Sequence, residues 1–253
     1  MRETTMTTDK NNFVFPPRKP RGDGGDVVFT SCSRCFPIDT LAIRSKILDL
    51  AMRGKLTEQL PEDGTAEELY RQIQAEKQAL IKAGKFKKEK ALPEIAAEEE
   101  PYTIPALWKW VRMGCVAEIS GGTTPSSSET CESGSIPYFK VSDMNVAGNE
   151  THMNVVGTYV SNSYSGKIFP AGTIIFPKNG GAALTNKRRI LTMDSAIDLN
   201  TGGCTPAIPS MTGWIRLYLD TVDFSRINTG SNIPTVNATA LKRRLLPLPP
   251  LAE

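Results

Sequence analysis

Ile104-Pro105-Ala106-Leu107-Trp108-Lys109-Trp110-Val111-Arg112-Met113-Gly114 is where this chain changes texture. Ahead of it lie helical periods and runs of charge. Beyond it, short β-branched and aromatic runs are separated by Gly, Pro, Asn and Ser, the pattern of strands joined by tight turns. Candidate strands cover residues 111–119, 136–141, 172–176 and 188–192. A stretch near residue 214 reads two ways: Trp214, Leu217, Tyr218 and Val222 recur at helical spacing, whereas Ile215, Leu217 and Leu219 alternate, and periodicity alone does not separate these. The expected fold class is α+β, a compact β-rich domain with a few helices over residues 101–253, preceded by a short helical region. The domain closes on Leu246-Pro247-Leu248-Pro249-Pro250-Leu251-Ala252-Glu253, a proline-rich strap of the kind that leads a chain out of one unit and into the start of a helix.

Upstream, residues 38–100 read as a helical region and charged linker. With Asp39 or Thr40 as cap, Ile43, Ile47, Leu50 and Ala51 recur at i, i+4, i+7 and i+8, and Gly54 stands near the exit, which makes one amphipathic helix of about four turns. Pro61 and Gly64 break the chain. Thr65 and Glu68 then form a capping-box pattern ahead of Leu69, Ile73, Leu80 and Ile81, with Glu67 and Arg71 placed as an i, i+4 pair. The second helix runs into Lys85-Phe86-Lys87-Lys88-Glu89-Lys90 and then Glu98-Glu99-Glu100, so residues 84–105 are expected to be a charged linker. Residues 1–37 carry few apolar side chains, Pro16, Pro17 and Pro20, and a glycine-rich turn from Gly22 to Gly25; they read as an irregular or disordered arm.

The 253 residues are 40% apolar with a net charge of +3, enough for one large domain or two modest ones. So small a net charge gives no overall field to draw a polyanion, and nucleic-acid binding would need local basic patches. No apolar run is long enough for a membrane helix and the N-terminus lacks a signal-peptide stretch; no membrane is expected, and the cytoplasm is the expected compartment. The five cysteines, Cys32, Cys35, Cys115, Cys131 and Cys204, are expected to be free thiols. Cys32-Ser33-Arg34-Cys35 is a lone CxxC with no second ligand pair at knuckle spacing, so no metal site is expected. The single histidine, His152, has no partner motif and reads as a surface or structural residue. Gly54-Lys55, Gly84-Lys85 and Gly166-Lys167 lack the upstream glycine and the Ser or Thr of a phosphate loop. An Asn-Pro-Pro-Tyr type of sequence and a glycine-rich S-adenosylmethionine fingerprint are also missing. Neither a catalytic residue nor a cofactor is expected in this chain.

What stands out is local. Lys178, Lys187, Arg188 and Arg189 surround the Gly180-Gly181 turn together with Asn179 and Asn186, a loop suited to bringing backbone close to DNA while offering phosphate and base-edge donors. Arginine takes guanine bidentately, asparagine takes adenine, and lysine mostly neutralises phosphate. Thr123 and Thr124 after the Gly121-Gly122 turn, with Lys140 and Ser142, offer a second contact edge. The other reading of residues 187–189 is a charged strand edge that guards against aggregation. Lys242-Arg243-Arg244 is a further basic cluster, beside the strap.

Four segments carry a resemblance: residues 104–114 quoted above; Ser120-Gly121-Gly122-Thr123-Thr124-Pro125 followed by Gly134-Ser135-Ile136-Pro137-Tyr138-Phe139-Lys140-Val141-Ser142-Asp143-Met144; Pro177-Lys178-Asn179-Gly180-Gly181-Ala182-Ala183-Leu184-Thr185-Asn186-Lys187-Arg188-Arg189; and Gly230-Ser231-Asn232-Ile233-Pro234-Thr235-Val236-Asn237 running into the strap. In this order they resemble the DNA-specificity subunits of type I restriction-modification systems, and the helices from Ser45 to Glu100 resemble the stretch ahead of a target recognition domain in many members. The resemblance implies a non-catalytic chain with one target recognition domain that reads a half-site in duplex DNA. It implies modification subunits carrying S-adenosylmethionine and the adenine methyltransferase site, and a restriction subunit using ATP and Mg. With one recognition domain where full-length members have two, the chain is expected to be half-length or truncated before the spacer helix. A homodimer would then supply the second half-site. The alternatives are a stand-alone methyltransferase or nuclease fragment, or a remnant that no longer assembles.

Overall fold

The computed structural model describes residues 39–227 and 234–252. The expected arm over residues 1–37, with its Cys32–Cys35 pair, lies outside them, as do Gly230 to Ile233 of the fourth family-like segment.

Two helices open the described chain. In α1 (Thr40–Met52) the Asp39 carboxylate accepts the Ala42 N–H at 2.9 Å, as an N-cap should. Its exit is Gly54 at φ +61°, where a Cβ would lie 2.5 Å from Pro105 Cγ, so both the left-handed turn and the close approach demand glycine. Helix α2 (Ala66–Lys82) begins with the expected capping box, Glu68 N–H to Thr65 Oγ1 at 3.3 Å and Thr65 N–H to Glu68 Oε2 at 3.1 Å. It buries Leu69 and Ile73. Glu67 does not pair with Arg71; it reaches Lys109 at 2.7 Å. The apolar stripe of α1 is only half used, because Met52 is buried while Ile43 and Ile47 are about half exposed.

The segment expected to be a linker is stapled down. Phe86 is buried, and Lys87 N–H donates to Glu118 Oε1 at 3.0 Å. Arg112, 5% exposed, donates to the carbonyls of Pro93 at 2.7 Å and Glu94 at 2.9 Å and pairs with Glu99 at 2.8 Å. A charged composition suggested solvation. A buried guanidinium and one aromatic ring hold the segment in place instead, because a buried cation must find its acceptors.

The rest runs β1 (Lys109–Arg112), α3 (Met113–Val116), β2 (Ala117–Gly121), β3 (Thr130–Cys131), β4 (Ile136–Phe139), β5 (His152–Met153), β6 (Tyr159–Val160), β7 (Ile174–Pro177), β8 (Arg189–Leu191), β9 (Ala196–Ile197), β10 (Thr201–Pro206), α4 (Thr212–Thr221), α5 (Ala238–Arg243) and β11 (Leu245–Leu248). It is an α+β fold, with sheets ordered β2-β10-β7-β8-β5 and β3-β6-β4-β9 and a two-stranded β1-β11 ribbon. The continuous strand expected over 111–119 is broken by α3. The ambiguous stretch is helical, with Ile215 and Leu219 fully buried and Leu217 facing out, the i, i+4 pattern of a half-buried helix.

The terminal strap begins as a strand of the domain, its residues 246–248 lying in β11, and leaves the ladder at Pro249. It pairs antiparallel with β1, Pro247 opposite Trp110 and Leu246 opposite Val111, and Leu246 and Leu248 are fully buried. Proline is tolerated because β11 has a partner strand on one side only among the described residues. The Pro247 carbonyl accepts Trp214 Nε1 at 2.8 Å and the Leu245 carbonyl accepts the Tyr218 hydroxyl at 2.8 Å. One apolar core holds Met52, Leu69, Ile73 and Phe86 together with Val111, Ile174, Ile215 and Leu246. A second, around Phe139, Met153, Phe169 and Leu191, fills the space on the β4 and β9 side.

Candidate nucleic-acid interface

Register places the loops of interest at one rim. Gly121 closes β2 opposite Gly202 and Pro177 closes β7 opposite Thr201, so β2 and β7 end where β10 begins. Arg189 opens β8 opposite Ile175, and β5 starts beside it in parallel. In the other sheet, β4 and β9 run parallel and finish at the same place, since Asp198 N–H donates to the Phe139 carbonyl at 3.0 Å and Thr123 N–H to the Ile197 carbonyl at 3.0 Å. Loops 122–126, 140–151, 178–188 and 198–200 therefore share this end of the domain.

Thr123, Thr124, Lys178 and Asn179 come together there. Lys178 N–H donates to the Asn200 carbonyl at 2.7 Å, the Asn179 amide reaches Asn200 Oδ1 at 3.3 Å, and Thr124 Oγ1 accepts Leu199 N–H at 3.4 Å. The Gly121-Gly122 pair makes this possible: a Cβ on Gly122 would lie 2.0 Å from the Ile197 carbonyl, and one on Gly121 would lie 2.7 Å from Lys178 Nζ. Lys140 joins through Tyr138. Its ammonium lies 5.7 Å from the Tyr138 ring centre, and burial holds the Tyr138 phenol above its usual range while Thr124 pulls the other way. Ser142 is exposed on the following turn, its hydroxyl 3.4 Å from Asp143 Oδ1.

The second half of the predicted set divides. Lys187 extends to Asn145 Oδ1 on the 140–145 turn. Arg188, expected to reach DNA, is 2% exposed: it donates to the carbonyls of Asn186 and Val222 and lies 4.0 Å over the Phe224 ring. Burial pushes its guanidinium down to about 10. Asn186 is engaged as well, at φ +54°, with Oδ1 accepting Phe224 N–H at 2.9 Å and Nδ2 on Asp223 Oδ1 at 3.3 Å. Arg189, half-buried, donates to the Met144 carbonyl at 3.1 Å and so fastens the 140–145 turn. Arg188 is thus part of the frame of the rim, a correction to its reading as a DNA contact, while Asn186 stays exposed and Arg189 half-buried, each with its side chain engaged within the protein. Arg188 lies just ahead of β8 and turns inward because two backbone carbonyls and the Phe224 ring take its guanidinium there.

What remains outward is cationic. Lys140, Lys178 and Lys187 enter no ion pair among the described residues. Nearby acids are turned to other uses: Asp143 accepts Lys140 N–H at 2.7 Å, and buried Asp198 takes the Thr201 hydroxyl. Three lysines, two exposed threonines and the amides of Asn145 and Asn200 make a surface that can neutralise phosphates and present donors and acceptors to base edges. Sequence reasoning missed Asn145, Asn200 and Leu199, the last 48% exposed. The signal for Leu199 and Asn200 was the turn before β10, hidden because Gly202-Gly203 itself looks like a turn. Lys242 belongs to another place, paired with Glu89. His152 is exposed on β5, and no cluster of three metal-ligating side chains occurs among the described residues.

The sequence model for the type I restriction modification DNA specificity domain matches residues 105–253, which takes in every rim residue above. The chain belongs to this type I specificity family. Within it, the specificity subunit of the type I restriction enzyme EcoAI from Escherichia coli is 47% identical over 87 residues, and that of EcoEI, also from Escherichia coli, 41% over 88 residues. Each alignment covers 34% of this chain and 15% of the relative, so this specificity-family chain spans a small part of the curated proteins it matches. Among solved structures, the HsdS subunit from Thermoanaerobacter tengcongensis is a distant likeness, 18% identical with a TM-score of 0.47 over 83% of this chain and 46% of that one.

Proposed function

We propose that the rim reads a short site in duplex DNA, and that the chain does so as the specificity part of a type I restriction-modification complex without catalysing a reaction itself. The observation that carries this is the convergence of Lys140, Lys178 and Lys187, none in an ion pair among the described residues, on loops inside the segment matched by the DNA specificity family. Modification subunits bring S-adenosylmethionine and the adenine methyltransferase site, and a restriction subunit brings ATP and Mg2+. Two copies of the chain about a two-fold axis would read an interrupted palindrome. No described helix is long and apolar enough to cross a membrane, in keeping with work on DNA in the cytoplasm.

The test is selection of the purified chain, alone and with a modification subunit, against random-sequence duplexes, followed by anisotropy titrations across salt. We expect one enriched half-site. Changing Lys140, Lys178 and Lys187 together to Ala should flatten the slope of log K against log salt by about 0.9 for each phosphate that is no longer neutralised. An unaltered slope in that triple variant would move the DNA surface elsewhere.

A further inference from the structure

A groove of about 620 Å³ runs along β1, walled by Tyr70, Trp108, Trp110, Ile104, Leu92 and Pro93. The bonding of the ribbon fixes which way the edge of β1 faces. Opposite Trp110 stands Pro247, which has no N–H and whose carbonyl is taken by Trp214. Opposite Arg112 stands Leu245, whose carbonyl is taken by the Tyr218 hydroxyl. These residues of β11 turn their polar groups away from β1, and in an antiparallel pair the residues facing them do likewise. The Trp110 N–H and C=O thus point out of the ribbon, where no third strand joins β1 among the described residues.

Two further features bear on what fits. The Trp110 indole Nε1–H has no acceptor among the described residues although Trp110 is only 7% exposed, and a buried donor left unpaired is costly. The cations lining the groove are spoken for, Lys109 by Glu67 and Arg112 by Glu99. Glu94 and Glu100, exposed on the same lining, enter no ion pair among the described residues.

We propose that this groove docks an extended, basic segment of a partner protein. The segment adds to the free edge of β1, its carbonyl oxygens accept the Trp110 backbone and indole N–H groups, apolar side chains enter the aromatic wall at alternate positions, and Lys or Arg side chains reach Glu94 and Glu100. This surface is separate from the DNA rim and does not depend on it.

The test screens the full chain against a displayed library of random hexapeptides, then titrates a synthetic copy of the strongest binder. Enrichment of alternating apolar and Lys or Arg residues is expected, with a shift of the Trp110 indole N–H resonance. Trp110→Phe should weaken binding about tenfold by removing the indole donor. Glu94→Gln with Glu100→Gln, both at exposed positions, should weaken binding and reduce its salt dependence; this pair carries the test if Trp110→Phe does not fold. No enrichment, enrichment of acidic peptides, or binding that leaves the indole resonance unmoved and survives the double Gln variant would overturn the proposal.

Discussion

Arg188 commits its guanidinium to two backbone carbonyls and the face of Phe224, so changing it acts on the fold before it acts on any ligand. Arg188→Ala should cost about 2–4 kcal/mol, read as a lower urea midpoint at unchanged slope. Lys187→Ala, one residue away, should leave stability within about 0.5 kcal/mol while removing roughly one unit of salt slope from DNA binding. Asn186 holds its left-handed turn with both ends of its amide engaged. Asn186→Gly keeps the backbone and loses only the side-chain bonds, so it should be milder than Asn186→Ala, which adds strain of about 1 kcal/mol or more. Cys204 gives a pH prediction. Burial pushes its thiol up to about 12 from an ordinary 9.0. Below pH 9 both states keep the proton and its stabilising share is whole; between pH 9 and about 12 the unfolded chain ionises and the native one does not, so stability falls. Urea midpoints at rising alkaline pH should show that decline, and Cys204→Ala should remove its share.

At the scale of elements, the helices announced themselves and the ribbon did not. Asp39, Thr65 and Glu68 are local signals with local consequences, and the caps form where those residues stand. Strand β10 was unreadable because Gly202 and Gly203 look like a turn; they are small because a Cβ on Gly202 would lie 2.5 Å from the Phe176 ring and one on Gly203 2.7 Å from the Phe169 ring. Prolines in β11 disguised a strand whose partner lies far away in sequence, a long-range pairing no window can see. The site was legible in the same measure. Thr123, Thr124, Lys140, Lys178 and Lys187 stand at one rim, but which of 186 to 189 turns inward depended on the backbone carbonyls and the Phe224 ring that take the Arg188 guanidinium. Leu246→Ala, emptying a fully buried site in the ribbon, should cost about 2–5 kcal/mol by chemical unfolding.

For the whole molecule, α1, α2 and the segment after them belong to the same core as the strands. A chain that begins at Ile104 would remove Met52, Leu69, Ile73 and Phe86 from the core they share with Val111, Ala117 and Tyr218. It should bind a hydrophobic dye and lose near-ultraviolet dichroism, whereas the full chain should unfold in one transition for residues 39–252. A sharp native spectrum from the shortened chain would show that the helices are dispensable.

Lys109 and Leu248 sit side by side at one end of the ribbon. The lobe between them therefore has its doorway and its exit in a single ladder, closed like the neck of a bag. A recombination event that replaced everything inside the neck would bring in new rim loops, and with them a new recognition surface, while the flanking chain kept its geometry. Such an exchange needs no re-engineering of the joints, so a library of grafted lobes sharing this ribbon should fold far more often than grafts cut at any of the rim loops.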